Sequence, residues 1–219
     1  MDSVYSMDGD IAPLPELRAV CDAHDALLMV DEAHALGVIG ATGKGIEEHF
    51  DYRAKVDIKL GTLSKAIPSM GGWVAGPSEL IGHLKYAARP FLFSAALGPA
   101  QSAAALESLR ILEREPERVS HIQQESARFR RMLNEGGMRT GDSETAVVPV
   151  IAGSDDAAYD YATACRAAGV IGLPVVTPAV PNDLARLRIA ITARHTKADI
   201  DFAAEAFLKA AHECGLIAG

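Results

Sequence analysis

The chain has 219 residues and a formal charge of -8, from 21 Lys plus Arg against 29 Asp plus Glu. With 49% hydrophobic and 23% charged residues it has the make-up of a soluble globular protein, which excludes a disordered or collagen-like chain. No basic block stands out, so no nucleic-acid partner is expected, while a local pocket for a small anion stays open.

The first ten residues are acidic, without the basic and apolar regions of a secretory signal. Pro15 to Asp25 predicts a helix with Leu17, Val20 and Cys21 on one face. Ala26 to Val30 is an apolar run ending at Asp31, the pattern of a parallel strand buried on both faces. Val56 to Leu60 predicts a second strand, Gly71 to Gly76 a third, and Glu79 to Ala87 a short helix. Leu97 to Glu113 has the alanine-rich composition of a long buried helix, and Glu115 to Gly136 predicts an amphipathic one closed by Gly136-Gly137. Pro90 to Leu106 is uncharged but falls short of the roughly 20 apolar residues of a spanning helix, so no membrane span is expected.

The texture then changes, which places a boundary near Gly136–Asp142 and divides the chain into domains 1-136 and 137-219. Thr145 to Ile151 and Leu184 to Thr192 predict strands, and Asp155 to Ala168 and Thr196 to Cys214 predict helices, the last with Thr196 as N-cap. Strands alternating with helices predict an α/β fold. Cys21, Cys165 and Cys214 are far apart and form no C-x-x-C motif. That pattern fits a reducing compartment, the cytoplasm, and predicts neither a disulfide framework nor a metal site.

Two stretches carry chemistry. Val30-Asp31-Glu32-Ala33-His34 delivers a carboxylate at a strand's C-terminal end, where open α/β sheets bind ligands. The same letters could be the magnesium-binding strand of a nucleotide-driven helicase. That reading needs a phosphate loop, and the Gly37 to Gly45 stretch has the wrong spacing, the wrong last residue and the wrong chain order. The second stretch is Gly61-Thr62-Leu63-Ser64-Lys65-Ala66. A strand-end lysine among small hydroxyls can form a Schiff base once partial desolvation and nearby positive charge favour its neutral form. An aspartate to hold a pyridine nitrogen proton, together with such a lysine, is what pyridoxal phosphate requires of a protein. Either residue alone is more often a turn former or a solvated surface group. His24, His49, His83, His121 and His212 read as surface groups, His195 as structural, and Trp73 as core packing.

Five ordered stretches carry a resemblance. They are Val4 to Leu14 with its Ser6-Met7-Asp8-Gly9 turn, Val30 to His34, Gly61 to Ala66, Arg89 to Ser94, and Arg186-Leu187-Arg188-Ile189 followed by His195-Thr196. In this order they resemble the α-oxoamine synthase family, pyridoxal 5'-phosphate enzymes of aminotransferase fold type I. The resemblance implies part of a fold type I large domain followed by a small C-terminal α/β domain. It also implies condensation of an amino acid with an acyl thioester of coenzyme A or a carrier protein.

The resemblance implies that Lys65 holds the cofactor aldehyde and shuttles protons. Asp31 partners the pyridine nitrogen, His34 the phenolic oxygen, and Thr62 the phosphate. Ser64 and Ser6 lie beside the cofactor. Phe93 and Ser94 reach the phosphate of the neighbouring subunit, which implies a homodimer with shared sites. Arg188 clamps the amino acid's carboxylate, a task suited to the guanidinium fork, while Arg186 has no assigned task.

The family's chains are much longer and carry an additional half before the Ser6 turn, including a glycine-rich phosphate-binding turn. A fragment or half of a split enzyme is therefore expected, with apolar faces left uncovered and weak activity alone. Ile67-Pro68-Ser69 stands where relatives are glycine-rich, so a stiffer loop past Lys65 is expected. An aminotransferase on the same fold and a non-catalytic truncated subunit remain as alternatives.

Overall fold

The computed structural model describes residues 1–217. They form two compact units, one from Met1–Val4 with Ala12–Ser120, the other from Tyr5–Ile11 with His121 onwards.

The first unit begins with helix α1 (Leu14–Ala23) and strand β1 (Met29–Asp31). A single turn, α2 (Ile46–His49), precedes strands β2 (Ile58–Ser64) and β3 (Pro68–Ala75). Helices α3 (Ser78–Ala87), α4 (Arg89–Leu92) and α5 (Pro99–Arg114) complete it. The sheet order is β1-β2-β3, with β1 parallel to β2 and β2 antiparallel to β3. Pro68, which cannot donate to a ladder, is the first residue of the edge strand β3, where its missing N–H costs nothing. Gly61 lies under Trp73, whose ring atoms would sit 2.8 Å from an added Cβ, so close strand packing requires glycine there.

Two expectations are corrected in this unit. β1 is not buried on both faces: Leu28 and Val30 are buried, but Leu27 is 75% and Met29 44% exposed. Helix α5 is not a buried helix either, since Ala105 is its only buried residue and Leu106 and Leu109 face outward. Alternate strand residues face opposite sides, so Leu28 and Val30 lie on the covered side of β1 and Leu27 and Met29 on the other.

The second unit contains α6 (Glu117–Glu135, beginning at the junction), β4 (Val147–Gly153), α7 (Asp155–Ala167), β5 (Leu173–Val175), β6 (Ala185–Ala190) and α8 (Lys197–Glu213). Its antiparallel sheet has the order β4-β6-β5. The core is aromatic at its centre. Phe207 stands edge-on to Phe129 at 5.8 Å and to Tyr161 at 6.2 Å, and the Tyr161 hydroxyl donates to the Phe207 carbonyl at 2.9 Å. The Phe129 contact explains why most of α6 goes with this unit, so that the units divide at Ser120, a helix earlier than the texture of the sequence suggested. Thr196 caps α8 as expected, accepting from the Asp199 amide while the Asp199 carboxylate accepts from the Thr196 amide.

His195 is structural, its Nδ1 accepting the Thr192 amide at 3.2 Å. His121, expected as a surface group, instead bonds through Nε2 to the His195 carbonyl at 2.8 Å. All three cysteines are free, and burial pushes the Cys165 thiol up to about 12, so it is an inert core group. Among the described residues no helix is long and apolar enough to cross a membrane, and no cluster of side chains could hold a metal ion.

Candidate functional site

The expected site residues other than Phe93 and Ser94 fall into two groups, one in each unit. In the first unit, β1 and β2 run side by side, with Asp31 opposite Leu60 and the Glu32 amide donating to the Leu60 carbonyl at 2.7 Å. β1 ends at Asp31 and the half-buried His34 lies in the following turn, while β2 runs four residues past Leu60, through Thr62 to Ser64, before Lys65. Asp31 is fixed twice. Its Oδ1 accepts the Ala33 amide at 2.8 Å, and its carbonyl accepts Ser3 Oγ at 2.7 Å and the Ser3 amide at 2.9 Å.

Lys65 is exposed, in the three-residue connection between β2 and β3. The loop's geometry is set from both sides. Ser64 pairs with Pro68 after an irregularity at Thr62/Ser64, and Ile67, 3% exposed, anchors the loop in the core. Ser69 Oγ donates to the Gln101 carbonyl at 2.7 Å. Thr62 Oγ1 donates to the Gly71 carbonyl at 3.2 Å and lies 2.7 Å from Ser64 Oγ, so two hydroxyls stand together just before the lysine. Neighbouring parallel strands thus carry a carboxylate at the end of β1 and, further along β2, a hydroxyl pair followed by an accessible primary amine. Phe93, 78% exposed, and Ser94, whose hydroxyl donates to the Pro90 carbonyl, lie beyond α4 and join neither cluster.

Glu32, next to Asp31 in sequence and left without a role by the sequence reading, is a buried carboxyl group. It is 2% exposed, and both its oxygens accept the Ile46 amide, at 3.2 and 3.3 Å. Burial raises its pKa above the ordinary carboxyl value despite that hydrogen bond. A raised folded pKa means the fold favours the protonated form. The stability this gives is fully present below the unfolded value and is lost as pH rises through the folded one. Glu32→Gln is therefore expected to flatten the pH dependence of thermal unfolding between pH 4.5 and neutrality, and to raise the midpoint most at the neutral end. A variant less stable than wild type at neutrality would contradict this.

In the second unit, Arg188 and Arg186 lie two apart on β6, flanked by β4 and β5, with Arg188 opposite Pro149 and Leu173. Arg188 Nε donates to the Ser6 carbonyl at 2.6 Å, which brings Ser6 and Arg188 together across 182 residues. Burial lowers the pKa of the Arg188 guanidinium from its ordinary value, which leaves it charged at neutrality. Arg186 was read without a role, and its partners lie too far off in sequence for spacing to reveal. Its Nη1 reaches the Met7 carbonyl at 3.1 Å, across 179 residues, and Asp8 Oδ1 at 2.5 Å.

Comparison with known proteins follows these motifs. Over 216 residues, 99% of its length, the chain is 44% identical to 8-amino-7-oxononanoate synthase of Thermosipho melanesiensis. It is 41% identical to 8-amino-7-oxononanoate synthase 1 of Bacillus subtilis over the same number of residues. In both cases it covers 55% of the relative, so the chain spans about half the length of the curated relatives it matches. The fold matches the solved structure of Sphingomonas wittichii serine palmitoyltransferase with a TM-score of 0.93 and 32% identity, over 99% of this chain and 55% of that one. The model of the family described as aminotransferase class I and II matches residues 1–207. The chain belongs to the aminotransferase class I and II family.

Proposed function

We propose that the whole protein is a pyridoxal-phosphate-dependent acyltransferase that condenses a small amino acid with an acyl thioester to give an α-oxoamine. The observation that carries this is that the parallel neighbours β1 and β2 carry, at or just past their C-terminal ends, Asp31 and Lys65. The likeness to two 8-amino-7-oxononanoate synthases and a serine palmitoyltransferase supports it. Bound pyridoxal phosphate supplies an electron sink for a carbanion at the amino acid's α-carbon.

The residues present fit that cofactor. Asp31, held rigidly by Ala33 and Ser3, keeps a proton on the ring nitrogen. His34 donates to the ring's phenolic oxygen. Thr62 and Ser64 offer their paired hydroxyls to the phosphate. Lys65 Nζ would hold the cofactor's aldehyde and, once the substrate amine is bound, would take up and return the α-proton. Arg188 takes the substrate carboxylate in its fork. In the balanced reaction the α-carbon bonds the acyl carbon, the C–S bond breaks and the thiol leaves, and the carboxylate departs as carbon dioxide. Ser6 lies beside the cofactor, and Phe93 and Ser94 serve the partner subunit of a homodimer; the exposure of Phe93 supports that use. Three free cysteines support a cytoplasmic setting.

The test supplies pyridoxal phosphate, one of glycine, L-alanine or L-serine, and acyl thioesters of graded length, and follows free thiol. Thiol release that needs both substrates supports the proposal. Amino transfer to a keto acid with no thioester consumed would replace it with an aminotransferase.

A further inference from the structure

The turn Tyr5–Ile11 belongs with the second unit, and two arginines of β6 hold it there. Arg188 Nε donates to the Ser6 carbonyl at 2.6 Å, and Arg186 takes the next two residues of the turn. Arg186 is 2% exposed, whereas the Asp8 side chain paired with it is 58% exposed. The remaining bond of Arg186 runs from Nε to the Leu184 carbonyl at 2.9 Å, within its own strand. The turn is also closed on itself, the Tyr5 amide donating to Asp10 and the Gly9 amide to Tyr5. It is anchored further by Thr145 Oγ1 and the Glu144 amide, both donating to the Gly9 carbonyl.

A single Nε–H bond to a fixed carbonyl sets the plane of a guanidinium. In Arg188 it leaves the Nη1–Nη2 edge with no hydrogen bond among the described residues. That edge is the one with which an arginine grips a carboxylate through two parallel bonds. The aim of the fork therefore depends on where the Ser6 carbonyl stands. Arg186, through Met7 and Asp8, fixes the peptide units that follow it.

We propose that Arg186, paired with Asp8, is a positioning residue that sets the orientation of the Arg188 fork by holding the Ser6–Asp8 turn against β6. The proposal rests on the reading of Arg188 as the carboxylate ligand. A stabilising ion pair alone would act on the whole sheet. A positioning pair acts on one N–H bond.

The test is hydrogen exchange of the Arg188 Nε–H, followed by NMR on the full chain labelled with 15N-arginine, without cofactor. Asp8→Asn is expected to speed that exchange about tenfold, the effect of weakening one charge-assisted bond, while β4 and β6 amides keep their protection. Asp8→Glu is expected to restore slow exchange, and Arg186→Lys to behave as Asp8→Asn. Unchanged Arg188 exchange in both Asp8→Asn and Arg186→Lys overturns the proposal. So does general loss of sheet protection in both, since the pair would then be holding the sheet. Propanoate, a bare carboxylate probe, separates this from the reading beneath it. If the Arg188 signal fails to respond to propanoate in wild type while its exchange still quickens in Asp8→Asn, the positioning role stands and the carboxylate assignment falls.

Discussion

Phe207→Ala is expected to destabilise the second unit by about 3–5 kcal/mol, the range for removing a buried aromatic and leaving a cavity. Phe207 is 2% exposed and touches the two other large aromatics of the core, Phe129 from α6 and Tyr161 from α7. Its loss removes both edge-on ring contacts at once. The Tyr161 hydroxyl keeps its acceptor, because that acceptor is the backbone carbonyl of residue 207. The loss is thus one of packing rather than of buried hydrogen bonding. Thermal or urea unfolding followed on a probe in α8 measures it. A loss below about 1 kcal/mol would mean that the three rings are not the centre of this core.

Gly9→Ala is expected to cost roughly 3 kcal/mol or more, although it adds only a methyl group. Gly9 has a φ of +75°, a conformation that side-chain-bearing residues adopt at a cost. An added Cβ would overlap the Val147 carbonyl oxygen and come within 2.8 Å of Ser143 Oγ. Serine can turn away, but the carbonyl belongs to β4 and cannot. The turn must lift, and with it the Ser6 carbonyl that orients Arg188. Gly82 is the matched control. It lies in α3, is exposed, and has nothing within 4 Å of an added Cβ. Gly82→Ala is therefore expected to stabilise its helix by up to about 1 kcal/mol through backbone entropy. Equal effects at the two positions would contradict the close packing assigned to Gly9.

Much of this was legible from sequence because the signals are local. Thr196 marked the start of α8, the alternation around Arg186 and Arg188 marked β6, and the apolar run before Asp31 located β1. β1 ends at Asp31 as read, but β2 runs to Ser64, four residues past its expected end at Leu60, because Gly61 to Ser64 pair with β3 and extend the ladder. Other features had no local signal. β5 is three residues long with Pro174 at its centre, and α2 and α4 are single turns, too short for any period to register. The exposure of Leu27 and Met29 depends on which layers the chain supplies, not on the strand's own pattern. The link from Arg186 to Asp8 joins the ends of the chain, and only the fold brings them within reach. Glu32 was passed over because a carboxylate beside Asp31 looks like part of the motif, whereas its partner is a backbone amide on α2.

The central claim is that this chain builds the Asp31–Lys65 half of a pyridoxal phosphate site. Its most direct test is to add pyridoxal phosphate to the purified chain, reduce with borohydride, and map the modified lysines by mass spectrometry. The account predicts modification concentrated at Lys65, weakened in Asp31→Ala and absent from that peptide in Lys65→Ala. Modification spread evenly over the surface lysines, with Lys65 no more reactive than Lys85 or Lys209, would contradict it.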